Sequence, residues 1–148
     1  MTGMTGMTES RLGVIQRLAE LTGAHDLEGM AALIHPDYRS EQPLHPARSF
    51  VGRAQMRANW QALLDAVPDM RAELLGATEQ GETVWSEWRW SGTLESGDPF
   101  DLRGVALFDV RDGLIVSGRL FTELVERDGV GIADSVEAQS GRRPRLDD

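Results

Sequence analysis

The sequence contains neither cysteine nor lysine. Without cysteine there are no disulfide bonds and no thiolate metal ligands. Without lysine there is no side-chain amine for Schiff-base or nucleophilic chemistry. All 15 basic residues are therefore arginine, and the 24 acidic residues give a net charge of −9. This charge repels phosphate backbones and no basic stripe offsets it, so we expect no nucleic-acid partner.

Targeting and membrane signals are also missing. Residues 1–10 have neither the basic segment nor the apolar segment of an export signal. No apolar run in the sequence approaches the roughly 18 residues that a membrane span needs. We therefore expect a cytoplasmic protein with no membrane partner.

The length of 148 residues indicates one domain. Residues 1–7 repeat Met, Thr and Gly and are expected to be disordered. Residues 8–126 are expected to form the domain. Residues 127–148 are rich in Gly, Asp and Arg and predict a mobile C-terminal tail with a short helix over residues 132–139.

Three stretches dense in Val, Ile, Leu, Phe and Trp follow one another between residues 82 and 126. They are separated by two turn sequences, Glu-Ser-Gly-Asp and Arg-Asp-Gly. This pattern predicts an antiparallel meander, and alternating apolar and polar residues add a half-buried strand before it. The four strands are expected at residues 70–77, 82–95, 99–110 and 114–126.

Helical spacing of apolar residues predicts three helices before the meander, which is an α+β layout. The first helix is expected to begin at the N-cap Thr8 and the second at Asp26. The second helix should end at residues 35–37, because a residue before proline is pushed out of the helical region. The second and third helices are expected at residues 27–34 and 53–66, with a short strand over residues 38–42 between them.

Strand parity assigns the faces of the first meander strand, because successive side chains point to opposite sides. Ser86, Trp88 and Trp90 share the face that suits a covered cavity, whereas Glu87 and Arg89 share the opposite face. On the last strand neither face is cleanly apolar, and a bulge there would reverse the assignment. The inward set on that strand is expected to be Val116, Gly118, Leu120 and Thr122.

The order of elements over residues 9–126 resembles the SnoaL-like polyketide cyclase branch of the nuclear transport factor 2-like superfamily. The local marks of this resemblance are Phe50-x-Gly52, Trp60, Pro68-Asp69, Trp88 with Ser91-Gly92-Thr93, and Asp112-Gly113-x-Ile115. The resemblance implies a cone-shaped α+β barrel in which three N-terminal helices pack on a strongly curved antiparallel sheet. It also implies a deep pocket between the two layers, often in a homodimer joined through the outer sheet face.

The resemblance does not extend to every catalytic position. Trp88 and Trp90 occupy the inward positions where related epoxide hydrolases have an Arg and an Asp, and Leu120 occupies the position of a second Asp. Epoxide hydrolysis is therefore disfavoured, and the cyclase acid/base residue has no clear counterpart. Trp60, Ser86, Trp88, Trp90 and Leu120 are expected to bind a small apolar ligand.

Three residues are candidates for proton transfer. His45 lies in a proline loop that can border the mouth of the cone, and imidazole titrates near neutrality; the alternative is a histidine of a surface loop. The Tyr38 hydroxyl could orient a carbonyl; alternatively its ring packs beneath a helix with the hydroxyl at the surface. Glu123 is expected in an exposed ladder of ion pairs with Glu87, Arg89 and Arg119, but becomes the strongest general base if the register is reversed.

No cofactor and no metal are expected. The three histidines are spaced ten residues apart without an HxxxH pattern, and no nucleotide-binding glycine motif is present. Two functions follow as hypotheses. One is a cofactor-independent cyclase, isomerase or lyase that acts on a small apolar carbonyl compound; the other is a non-catalytic ligand-binding or dimerisation module. A homodimer is expected through the outer sheet face, which carries Trp85, Val105, Leu107 and Phe121.

Overall fold

The computed structural model describes residues 9–147. The predicted disorder of residues 1–7 and the predicted cap at Thr8 lie outside this range. The helices are α1 (Arg11–Gly23), α2 (Leu27–Ala32), α3 (Arg53–Ala66) and α4 (Ile132–Ser140). The strands are β1 (Ile34–Glu41), β2 (Phe50–Val51), β3 (Arg71–Gln80), β4 (Thr83–Thr93), β5 (Pro99–Arg111) and β6 (Leu114–Leu124). A single 3-10 turn, Pro46–Arg48, lies between β1 and β2.

The strands form one curved sheet in the order β2-β1-β6-β5-β4-β3. The predicted meander from β3 to β6 is confirmed, and among the strand pairings of residues 9–147 only that of β1 with β6 is parallel. Asp112 and Gly113 connect β5 to β6 with φ angles of 52° and 78°. Two consecutive left-handed residues are what a tight two-residue hairpin needs to match the twist of its strands. The α+β fold, with α1 to α3 packed on a curved sheet, is therefore confirmed.

The helix ends follow local hydrogen bonding. Ser10 caps α1, and its side chain accepts a hydrogen bond from the Gly13 amide. Asp26 caps α2 as predicted, through a 2.9 Å bond from the Gly29 amide to its carboxylate. The prediction that this helix continues to Ile34 is wrong. Ile34 already pairs with Ile115 of β6, so the chain enters the sheet directly after α2.

The main core lies between the concave face of the sheet and helices α1 to α3. The inward residues of β4 and their neighbours on β5 meet apolar residues from all three helices. Trp88 is only 1 % exposed, whereas Trp85 on the opposite face of the same strand is 44 % exposed. The face assignment made for β4 from parity is therefore confirmed. The buried core residues include Val14, Ile15, Met30, Met56, Leu64, Val84, Trp88, Trp90, Ala106 and Phe108.

A bulge changes the faces of β6. Val110 pairs with Ile115 and Asp109 pairs with Ser117, so Val116 is the extra residue. Ile115 is consequently buried on the inner side, and the expectation that Val116 belongs to the inward set is wrong. Beyond the bulge, Leu120 faces inward as expected and borders the cavity described below.

The outer face of the sheet carries fewer exposed apolar groups than expected. Trp85 and Phe121 are exposed, and Val105 is half-buried. Leu107 is only 5 % exposed, although its parity places it on this outer face. The expected apolar patch is therefore confined mainly to Trp85, Val105 and Phe121.

The C-terminal segment contains α4, which confirms the predicted short helix. None of its residues is buried, and Ile132 at its start is among the most exposed apolar residues. The mobility of residues 127–148 stays a prediction. Among the described residues, no helix is both long enough and apolar enough to cross a membrane.

Candidate functional site

A cavity of about 310 Å³ lies between the concave face of the sheet and the helices. Its wall is mostly apolar, and among its lining residues only Arg48 and Glu123 carry a formal charge. The apolar lining residues are Leu18, Met30, Ile34, Phe50, Met56, Trp60, Leu63, Trp88, Trp90, Leu102, Phe108, Leu120 and Leu124. The polar lining residues are Thr22, Tyr38, Ser40, Gln42, Arg48, Asn59, Thr122 and Glu123.

Three indoles form the flattest part of this wall. Trp88 and Trp90 are two positions apart on β4, and their rings stack at 5.1 Å with an interplanar angle of 4°. Trp60 from α3 approaches Trp90 at 6.0 Å, as parity and helix placement predicted. Phe108 of β5 meets Trp88 edge-on at 6.4 Å. Such a surface suits a ring-shaped apolar ligand.

Ser86 supports this wall and does not border the cavity. The Trp88 indole N–H donates a 2.8 Å hydrogen bond to the Ser86 hydroxyl, which in turn donates a 2.7 Å bond to the Ala106 carbonyl. The serine therefore satisfies the one polar atom of the indole in an otherwise apolar interior. The expectation that Ser86 lines the cavity is wrong, because it is not among the lining residues and its hydroxyl is bound to Trp88 and Ala106.

Tyr38 reaches the cavity from β1, which is separated from β4 by β6 and β5 in the sheet. It is 4 % exposed, and burial raises the pKa of its hydroxyl to about 12, although a hydrogen bond with Ser40 acts in the other direction. Gly118 makes room for it: a Cβ at that position would lie 2.5 Å from the hydroxyl oxygen. The hydroxyl is thus inside the fold and not at the surface. It remains protonated throughout the physiological pH range and can donate a hydrogen bond.

His45 and Glu123 meet at the rim of the cavity. The His45 Nε2 atom and the Glu123 Oε1 atom are hydrogen-bonded partners, and both side chains are partly exposed. Arg48 approaches the same carboxylate at 3.6 Å and donates a 3.1 Å hydrogen bond to Gln42. The rim therefore combines an imidazole, a carboxylate and a guanidinium beside an apolar cavity.

The end of β1 explains how these side chains come together. β1 pairs with β6 as far as Glu41, which lies opposite Arg119. Beyond this point a loop borders β6, and two backbone hydrogen bonds tighten it, from His45 to Gln42 and from Arg48 to His45. Glu123 is on the outward side of β6 by parity, but the free strand edge lets its side chain turn toward the rim.

The sequence proposed His45, Tyr38 and Glu123 as separate candidates, and it connected Glu123 with the cavity only through a reversed register. The structure brings His45 and Glu123 into contact although Glu123 keeps the outward position that was expected for it. Tyr38 lines the same cavity. Of the five residues expected to bind a ligand, Trp60, Trp88, Trp90 and Leu120 border the cavity.

The predicted ladder of ion pairs on the outer face is wrong. Arg89 pairs with Asp101 at 3.3 Å, whereas Glu87 has no ion pair in the described part of the chain. Asp101 also binds Arg103 at 3.2 Å and Arg127 at 2.7 Å. The sequence analysis missed this carboxylate. Its spacing of two from Arg103, which places both side chains on one face of β5, was the feature of the sequence that could have identified it.

His25 and His35 lie apart from the rim pair, and each has its own hydrogen-bond partner. His25 Nε2 lies 2.8 Å from the Met70 carbonyl oxygen, and the Asp37 amide donates a 3.0 Å hydrogen bond to His35 Nδ1. Within residues 9–147, no group of three or more His, Asp or Glu side chains is arranged to hold a metal ion.

Several solved structures have the same fold. The chain is 25% identical to IdmH of Streptomyces antibioticus, a proposed polyketide cyclase, with a TM-score of 0.66; the match covers 78% of this chain and 91% of IdmH. RV0760c of Mycobacterium tuberculosis, solved with estradiol-17beta-hemisuccinate, is 20% identical with a TM-score of 0.64, over 75% of this chain and 92% of that one.

A third structure, from Catenulispora acidiphila, has a ketosteroid isomerase-like fold and contains trimethylamine. It is 18% identical with a TM-score of 0.64, and the match covers 91% of this chain and 95% of that one. No curated protein matches the sequence. The model of the SnoaL-like domain matches residues 15–118, which is more than half of the chain. Together with the fold and the apolar cavity of the chain, this match shows that the chain belongs to the SnoaL-like family.

Proposed function

We propose that this protein binds a small apolar ring compound with a carbonyl group and catalyses its cyclisation, isomerisation or elimination without a cofactor. The observation that carries the proposal is the His45 and Glu123 pair at the rim of a cavity walled by three indoles. A hydrogen-bonded imidazole and carboxylate form a proton acceptor whose ring is held in one orientation. The naming of IdmH as a proposed polyketide cyclase supports this class of reaction.

The reaction would begin with removal of a proton from the carbon next to the carbonyl. His45 takes the proton, and Glu123 stabilises the imidazolium that forms. The electron pair of the broken C–H bond moves to the carbonyl oxygen, which becomes an enolate. The Tyr38 hydroxyl donates a hydrogen bond to that oxygen, and its high pKa keeps it in the donor form.

The enolate then has three outcomes. Return of the proton to a different carbon of the conjugated enolate gives an isomer. Attack of the enolate carbon on a second carbonyl of the same molecule gives a ring, and expulsion of a leaving group gives an elimination product. The rim pair gives the proton back to carbon in the isomer, to the alkoxide oxygen formed on ring closure, or to the expelled leaving group in the elimination, so no oxidant or reductant is consumed.

Deuterium exchange tests this step without knowledge of the product. Cyclic ketones are incubated with the protein in heavy water, and the loss of the α-proton signal is followed by NMR. We expect exchange to be accelerated, and H45A and E123Q to slow it by about 10²- to 10⁴-fold, the usual contribution of a positioned base. H35A and E95Q are matched controls outside the cavity and should leave the exchange rate unchanged.

Binding is measured separately by quenching of the tryptophan fluorescence. A steroid such as estradiol hemisuccinate is a reasonable first probe, because RV0760c was crystallised with it. Ligands that quench fluorescence in both the native protein and E123Q, but whose protons never exchange faster than in buffer, would contradict the catalytic proposal. That result would support the second candidate function, a ligand-binding module, which is favoured by the partial exposure of His45 and Glu123.

We also propose that the protein is a homodimer through the outer sheet face. Trp85 and Phe121 are exposed there beside the half-buried Val105, and contiguous large apolar groups on a surface favour association. Light scattering at micromolar concentration should give the mass of a dimer. Trp85→Glu should convert it to a monomer, and a monomeric mass for the native protein would contradict the proposal.

A further inference from the structure

We propose that Asp101 is a positioning residue for the rim pair. By binding Arg103 on the outer face of the sheet, Asp101 keeps Arg103 away from Glu123 and so leaves Glu123 free to bind His45. The consequence for activity rests on the proposed function. The pairing of Arg103 with Asp101 and of Glu123 with His45 does not rest on the proposed function, because it concerns only which side chains are in contact.

The register of the sheet places Arg103 and Glu123 directly opposite each other on β5 and β6. Residues in this relation share a face, and their Cβ atoms are about 4.5–5.5 Å apart. Their opposite charges should make them an ion pair. Instead, Glu123 binds His45 and lies 3.6 Å from Arg48.

Arg103 binds Asp101 instead of Glu123. Asp101 precedes Arg103 by two positions and therefore lies on the same face of β5. The Arg103 Nε atom donates a 3.2 Å hydrogen bond to one carboxylate oxygen of Asp101, and its Nη2 atom donates a 3.4 Å bond to the other. The guanidinium is thus held in two-point contact with a carboxylate other than the one opposite it.

Burial decides the competition between the two carboxylates. The Asp101 side chain is 6 % exposed, whereas the Glu123 side chain is 53 % exposed. A buried carboxylate without cations is costly, and an exposed one is compensated by water. Burial alone would raise the pKa of Asp101, but the hydrogen bonds from Arg103 and Arg89 outweigh burial and lower that pKa. Asp101 therefore holds Arg103 more strongly than Glu123 would.

Asp101 also holds the chain that follows Glu123. The Val125 amide donates a 2.8 Å hydrogen bond to the Asp101 carbonyl, and the Arg127 guanidinium donates a 2.7 Å bond to its carboxylate. Leu124, between these contacts and Glu123, pairs with Leu102, and both leucines line the cavity. One outer-face residue thus anchors the strand end that carries half of the rim pair.

Replacement of Asp101 should release Arg103 onto Glu123. The test uses D101N, which keeps the side-chain shape and loses the charge, together with D101A, each with and without R103A. Hydrogen–nitrogen NMR follows the Nε2 proton of His45, assigned by its absence in H45A. A ring proton that His45 donates to Glu123 is held in a charge-assisted hydrogen bond and should exchange more slowly than one bonded to water, so its signal reports the pairing.

We expect the native protein to show this signal, both single variants to lose it, and both double variants to regain it. A loss caused by general damage to the fold would not be repaired by removing a further side chain. E82Q, which removes the carboxylate that binds Arg111 away from the cavity, should keep the signal. Circular dichroism confirms that each variant is folded; if D101A is not, D101N alone makes the comparison.

Three results would overturn the proposal: no slowly exchanging His45 proton in the native protein, its persistence in D101N, or its loss from D101N/R103A. In the deuterium-exchange assay the D101N rate should fall toward that of E123Q and recover in D101N/R103A. If the NMR signals behave as expected while H45A and E123Q leave the exchange rate unchanged, the positioning role stands and the proposed catalytic function fails.

Discussion

Replacement of Trp88 by alanine should destabilise the protein strongly. The indole is 1 % exposed, stacks on Trp90 at 5.1 Å and donates a hydrogen bond to Ser86. Truncation of a buried aromatic residue costs about 3–5 kcal/mol, and we expect the upper part of this range because a stacked pair and a hydrogen bond are lost together. For a domain of this size, that corresponds to a fall in melting temperature of about 6–20 °C.

Two further variants give free energies of unfolding with which the W88A value can be compared. W88F keeps a ring in the stack but removes the indole N–H, so its free energy of unfolding should lie between those of W88A and the native protein. About 1 kcal/mol of the decrease in W88F should come from the lost hydrogen bond. Glu87→Ala changes the neighbouring residue on the opposite, exposed face and should stay within about 0.5 kcal/mol of the native protein. Thermal and urea denaturation give both quantities.

The reasoning from strand parity to burial would be refuted by the reverse order. If Glu87→Ala lowered the melting temperature more than W88A, the cavity would have to lie on the other side of β4. A loss below about 1 kcal/mol for W88A would also contradict the packing described here, because the cavity lining would then not depend on this ring.

Two further outcomes follow from Tyr38 and Gly118. Tyr38 is the single tyrosine of the chain, so the ultraviolet absorbance of tyrosinate should rise near pH 12 and not near pH 10. Because the pKa of Tyr38 is raised in the folded state, its contribution to the free energy of unfolding is complete below pH 10, and about 3 kcal/mol is lost as the pH rises to 12. Y38F should abolish this loss. G118A places a Cβ 2.5 Å from the Tyr38 hydroxyl and should cost about 1–3 kcal/mol in urea denaturation. G76A, where no atom lies within 4 Å of the new Cβ, should not.

Local chemistry was sufficient for much of the fold. The third helix was predicted with the bounds that it has, because its apolar stripe begins after Gly52 and Pro68 follows shortly after its last residue. The β4 faces were predicted correctly, since alternation along a regular strand depends only on its own residues. The end of α2 was predicted too late, because Ile34 is drawn out of the helix by pairing with Ile115, a residue far away in the sequence.

The candidate site shows the same division. The indole wall could be predicted because Trp88 and Trp90 are two positions apart on one strand, and their common face is a property of the strand itself. The contact of His45 with Glu123 could not, because it depends on where β1 stops beside β6. The partner of Arg103 depends in turn on the burial of Asp101, and burial is decided by the whole sheet.

The sequence by itself thus determined the α+β layout, the meander and its hairpins, and the inward tryptophans, since each follows from short-range periodicity and turn chemistry. Only the tertiary structure decided the parallel pairing of β1 with β6, the bulge at Val116 and the choice of partners among charged side chains. The pair of His45 with Glu123 joins residues that are distant in the sequence, and burial changes the strength of an ion pair severalfold, so the choice of partners is decided only once the chain is folded.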